Sequence, residues 1–134
     1  MLNKINHIGI AVKDLENTKE FYKNILRLNP SNVESVPSQM VNLVFFQIGD
    51  TRIEFLVGTS PESPISKFIE KKGEGIHHIC FEVDNLRETL SELQSSGIEL
   101  IDKEPRTGAH GKLIAFLNPK STRGILIELT ERDK

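Results

Sequence analysis

His7 and Glu54 in the first half of the chain, and His78 and Glu128 in the second, place two imidazoles and two carboxylates in repeated sequence frames. The stretch Ile5-Asn6-His7-Ile8-Gly9-Ile10-Ala11-Val12 returns 71 residues later as Ile76-His77-His78-Ile79-Cys80-Phe81-Glu82-Val83. Arg52-Ile53-Glu54-Phe55-Leu56 returns 74 residues later as Leu126-Ile127-Glu128-Leu129-Thr130. Two halves related by a pseudo-twofold would bring the four side chains toward one point, where they describe a divalent metal site. With a divalent ion the charges sum to about zero. An ion that prefers octahedral geometry would keep two positions for water or substrate oxygens. A substrate chelating through both would have its carbonyl polarised, and a neighbouring C–H could then lose its proton to a glutamate at or beside the ion.

Each residue has a plainer reading. A lone strand histidine is ordinarily half-buried and satisfied by hydrogen bonds, and a lone strand glutamate ordinarily faces solvent. Repetition of both types in matching frame is what sets these four apart. His77 competes with His78, but a slip of one residue turns it to the opposite face of its strand. Cys80 reads as a small buried filler rather than a nucleophile. As the sole cysteine it excludes an internal disulfide framework and fits a reducing cytoplasm.

The elements that must carry these residues follow from period and punctuation. Residues 5–12 read as a strand, and Asp14 as the N-cap of a helix with Leu15, Phe21, Tyr22, Ile25 and Leu26, stopped at Asn29-Pro30. A short strand is expected around 33–36. Strands 41–48 and 51–57 flank the hairpin turn Gly49-Asp50. A short helix is expected over 65–71. The second half repeats the order: strand 76–83, then a helix capped by Asn85 at capping-box spacing from Glu88. Leu86, Leu90 and Leu93 give its stripe, and Gly97 ends it. Strands 98–101, 113–117 and 124–130 follow, separated by polar loops at 105–112 and 118–123.

The sequence therefore predicts an α+β chain, 1–134, forming a single domain from two βαβββ modules at about 1–58 and 75–134, connected by 59–74. The bulky residues alternating with the polar ones (Ile8, Ile10 and Val12; Ile53, Phe55 and Val57; Ile125, Ile127 and Leu129) should pack under the helices. The length of 134 residues suits one domain, and 37% apolar with 27% charged residues is ordinary for a globular protein. A net charge of -2 argues against nucleic acid as a general partner. No apolar run is long enough to span a bilayer, and no signal-peptide pattern opens the chain.

The chain resembles the vicinal-oxygen-chelate (glyoxalase/bleomycin resistance) superfamily and, within it, the methylmalonyl-CoA epimerase family. The most telling stretches are Asn6-His7-Ile8-Gly9-Ile10-Ala11-Val12, Glu62-Ser63-Pro64-Ile65, Gly75-Ile76-His77-His78-Ile79, Gly108-Ala109-His110-Gly111-Lys112 and Phe116-Leu117-Asn118-Pro119-Lys120 before Gly124-Ile125-Leu126-Ile127-Glu128-Leu129. The resemblance implies a curved mixed sheet around a metal-binding cleft, with His7, Glu54, His78 and Glu128 as ligands. It also implies interconversion of the (2R) and (2S) forms of methylmalonyl-CoA through an enolate, with Glu128 as ligand and acid/base and Glu54 as a second catalytic carboxylate. Cobalt is the favoured ion, with zinc, manganese, nickel or magnesium as alternatives, and a homodimer is implied by analogy.

Some relatives carry glutamine at the second ligand position, where this chain has Glu54. Some also carry a glutamate on the earlier strand, where this chain has Leu43. Glu54, His110 or a metal-bound water are then the candidates for the opposing acid/base. Coenzyme A carries phosphates, so His110, Gly111, Lys112 and Lys120 are candidate substrate contacts, with Arg123 beside them. Those loop cations also read as ordinary solvated charges, and His110 as a structural loop residue. A glyoxalase I-like lyase would use the same ligands with a glutathione pocket. An extradiol-type dioxygenase fits less well, because Glu54 would fill a position that its chemistry needs open. A drug-binding module of the bleomycin-resistance kind would need no metal.

Overall fold

The computed structural model describes residues 1–133. The chain divides into two compact units, one of His7–His77 and the other of Met1–Asn6 with His78 onward. The first is built from β1 (Leu2–Ala11, from His7 on), α1 (Leu15–Asn24), β2 (Glu34–Val36), β3 (Val41–Ile48), β4 (Thr51–Gly58) and α2 (Pro64–Lys72). Its strands lie in the order β2-β3-β4-β1, with β1 parallel to β4 and the other pairs antiparallel. The second contains β5 (Gly75–Val83, from His78 on), α3 (Leu86–Ser95), β6 (Arg106–Thr107), β7 (Leu113–Leu117) and β8 (Ile127–Glu131). Its order is β5-β8-β7-β6, again with one parallel and two antiparallel pairs. The α+β class and the twofold βαβββ order are as the sequence predicts. No helix among the described residues is long and apolar enough to cross a membrane.

Caps decide where the helices begin. Asp14 Oδ1 accepts the Asn17 N–H at 2.9 Å, and Asn85 Oδ1 accepts the Glu88 N–H at 3.0 Å. Glu131 reaches back from β8 to take the Leu86 N–H at 2.8 Å, satisfying another orphan amide of α3. The expected stop of α1 at Asn29-Pro30 comes too late. The helix ends at Asn24, Arg27 turns left-handed (φ 59°), and the Leu28 N–H returns to the Tyr22 carbonyl at 3.1 Å.

The apolar faces pack as alternation requires, with exceptions. Val12, Val44, Phe46 and Phe55 form one core, against which Ile10, Leu15, Tyr22 and Ile53 pack. Val83, Leu86, Leu90, Ala115, Leu117 and Leu129 form the other. The expected stripe on α1 is only partly used. Leu15 and Tyr22 pack inward, while Phe21, Ile25 and Leu26 are exposed. Ile125 is also exposed, because the last strand begins at Ile127, after the left-handed pair Arg123 and Gly124, rather than at Gly124.

Residues 98–101 do not form the expected strand. Leu100 makes one isolated bridge to Leu117, and Asp102 then takes the Phe116 N–H with its carboxylate, which ends backbone pairing. The missing strand is supplied by Arg106–Thr107, inside the region read as a polar loop, which pairs with Ile114 and Leu113. At the other end of the chain, hydrogen bonds from Asn3 and Arg132 hold the Asp84 carboxyl below its usual range.

Gly58 ends β4 against the start of α2. A Cβ there would lie 2.0 Å from Ser66 Oγ and 2.9 Å from Ser63 Cβ. Ser63 is fully buried and caps α2 through the Ile65 N–H, so it has no room to retreat. Gly58→Ala should destabilise the fold by about 1–3 kcal/mol, measured as a lowered denaturant midpoint at unchanged slope.

Candidate metal centre

In the first unit, His7 shares its face of β1 with Gly9 and Ala11, and all three are buried. Register sets Gly9 beside Glu54, so no side chain stands between the imidazole and the carboxylate. His7 Nδ1 lies 3.5 Å from Glu54 Oε2, and Glu54 is 2% exposed. Across β3, Phe45 pairs with Glu54. The Arg52 guanidinium sits over the Phe45 ring, 5.0 Å from its centroid, and 3.4 Å from the same Oε2. These are ion-pair separations, yet Glu54 Oε2 accepts no hydrogen bond among the described residues. A buried acceptor left without a donor costs about 1–3 kcal/mol, and more when charged. An oxygen so placed beside an imidazole fits a bound cation.

The second unit repeats the couple. His78 Nε2 lies 3.1 Å from Glu128 Oε1, with both residues buried. Phe116 pairs with Glu128 across β7 and β8, and meets the His78 ring edge-on at 5.9 Å and 82°. The Arg106 guanidinium covers that phenyl ring at 5.2 Å, held by Asp102 at 3.3 Å. Cys80 pairs with Glu128 in register and is fully buried. His77 turns to the other face of β5, as the frame of the repeat requires, and packs edge-on against Phe68 at 5.0 Å.

Each unit therefore holds a buried His–Glu couple walled by a phenylalanine that carries an arginine. Sequence reading missed Phe45, Phe116, Arg52 and Arg106. Both phenylalanines stand opposite their glutamates in register, which was the available signal. The arginines come from different strands, β4 and β6, so no repeat marks them.

The remaining candidates lie in two 3-10 turns of the second unit. His110 and Gly111 are exposed in the turn Ala109–Gly111, with His110 in a left-handed conformation (φ 61°). Lys112 is half-buried and ion-paired with Asp133. Lys120 is exposed in the turn Pro119–Ser121. Leu43 is buried on the face that carries Glu54.

Residues 6–116 match the glyoxalase/bleomycin resistance protein/dioxygenase superfamily. The chain belongs to that superfamily. Among similar proteins in it, the mitochondrial methylmalonyl-CoA epimerase of Homo sapiens is 42% identical over 131 residues, spanning 97% of this chain and 74% of the human protein. The ethylmalonyl-CoA/methylmalonyl-CoA epimerase of Cereibacter sphaeroides is 38% identical over 133 residues, spanning 98% of this chain and 99% of that protein. A single-substitution variant of Streptomyces coelicolor methylmalonyl-CoA epimerase, in complex with 2-nitronate-propionyl-CoA, superposes with a TM-score of 0.93 at 33% identity, covering 98% of this chain and 95% of that one. Enzymes of the glyoxalase/bleomycin resistance superfamily use divalent metals, and the buried imidazole–carboxylate couples are donors of that kind.

Proposed function

We propose that the chain is a methylmalonyl-CoA epimerase, interconverting the (2R) and (2S) thioesters by removal and return of the C2 proton. The observation that carries this reading is the buried His–Glu couple present in both units of a chain that aligns nearly end to end with named epimerases. In this reading residues 1–134 act as one domain, and His7, Glu54, His78 and Glu128 together hold one divalent ion. Once bound, that ion supplies Lewis acidity toward the negative charge that develops on the thioester oxygen. Cobalt suits a mixed imidazole and carboxylate set and is our favoured ion.

The side chains do the rest. Glu128, buried and aligned by His78, takes the C2 proton. Glu54 supplies the second carboxylate at the same centre. Glu54 and Glu128 are buried beside Phe45 and Phe116, which strengthens every charge interaction there. The turns holding His110, Gly111, Lys112 and Lys120 receive the coenzyme A portion. A cytoplasmic homodimer completes the proposal, by analogy with other paired-module proteins.

Metal-reconstituted protein incubated with methylmalonyl-CoA in deuterated water should place label at C2 without forming another compound. Stripping the metal with a chelator should slow that exchange by about 100-fold or more, and cobalt should restore it. Lack of exchange, alongside activity on a glutathione hemithioacetal, would overturn the reading.

A further inference from the structure

Inversion at C2 needs proton traffic on both faces of a planar intermediate. In the epimerase reading Glu128 serves one face, and a second proton-transferring group serves the other. In the unit of residues 7–77, strand register settles which side chains share the face of His7 and Glu54. Leu43 pairs with Leu56 on one side and with Glu34 on the other. Cross-strand partners point the same way, and so do residues two apart in one strand. Glu34, Leu43, Leu56 and Glu54 therefore occupy one face. Among the paired strand residues of that face, Glu34 and Glu54 are the only carboxylates. Glu54 is occupied as a ligand in the reading above. Glu34 is half-buried on the short strand β2, between buried Leu43 and buried Val36.

We propose that Glu34 is the second acid/base of the reaction, reaching the substrate from β2 past the apolar Leu43. The proposal rests on the epimerase reading. In one direction Glu128 removes the C2 proton, and the C–H electron pair moves into the thioester as an enolate. The Glu34 O–H then breaks as a new C2–H bond forms on the opposite face. The two carboxyl groups have exchanged protonation states, and solvent exchange restores them. In the other direction the roles reverse. Leu43 leaves no carboxylate at its own position, so the proton relay is displaced by one strand rather than lost.

Glu34→Gln keeps the side chain's size while removing its acid/base function. With cobalt loaded, its net epimerisation should fall by about 100-fold or more. Deuterium should still enter C2 of one epimer, the one whose proton Glu128 takes, and should no longer enter the other. Calorimetric cobalt affinity should match the wild type, which separates this role from that of a ligand. A merely structural role would slow both epimers together. Exchange of both epimers at wild-type rates, or equal loss of both with cobalt binding intact, would overturn the assignment of Glu34. A wild-type protein that exchanges neither epimer would sink the epimerase reading itself, and this assignment with it.

Discussion

Glu128→Gln should lower epimerisation of methylmalonyl-CoA by about 10³-fold or more, the upper part of the range for losing a positioned acid/base. The substitution keeps the volume of the side chain and its place opposite Phe116, so the register of β7 and β8 survives. It removes the negative charge that faces His78 Nε2 at 3.1 Å and replaces a strong anionic donor by an amide. Under the proposed roles two losses coincide: the base is gone, and the cation is held by a weaker set. The measurement is paired, with turnover on one side and calorimetric cobalt binding on the other. Turnover within tenfold of the wild type would mean that Glu128 is neither base nor ligand. Retained fold, checked by an unshifted far-UV spectrum, keeps the comparison clean.

Phe55→Ala should cost about 3–5 kcal/mol of stability, the range for deleting a buried aromatic ring. Phe55 is 1% exposed, with the Tyr22 ring at 4.5 Å and the Phe46 ring at 5.9 Å. Its neighbours Val44 and Phe46 are fixed by strand register and cannot collapse into the space. Helix α1 has no fully buried residue, and Tyr22 is its aromatic link to this core, so the helix should loosen first. Denaturant unfolding gives the number, and exchange of the α1 amides shows where the loss falls. Phe55 lies on the face away from Glu54, so the His7–Glu54 couple should survive in the folded fraction. A loss below about 1 kcal/mol would contradict the packing argument.

The couples were legible because strand alternation is unforgiving. A glutamate flanked by Ile53 and Phe55 has only one face to occupy, and the repeat then pairs it with a histidine in the same frame. The same rule separated His78 from His77. Elements held by tertiary contacts were less legible. Residues 98–101 look like a strand from their apolar alternation, but Leu100 goes into the core and the Asp102 carboxylate takes the amide that would have continued the ladder. Arg106–Thr107 looks like loop, and is a strand only because β7 offers it an edge. The stripe on α1 has helical spacing, yet spacing does not reveal how much sheet lies beneath it. The Arg–Phe stacks were invisible for a related reason, since β6 brings Arg106 to Phe116 from outside the repeat.

If Glu54 holds a cation as proposed, its buried Oε2 also couples folding to metal supply. A cation that binds the native chain and not the denatured one adds about 2.7 kcal/mol when its free concentration is a hundredfold above its dissociation constant. Part of that gain would be relief of the cost of burying one carboxylate oxygen without a hydrogen-bond donor. Heat resistance then becomes a gauge of cation occupancy, and scarcity of the ion would thin the folded population before any substrate is met.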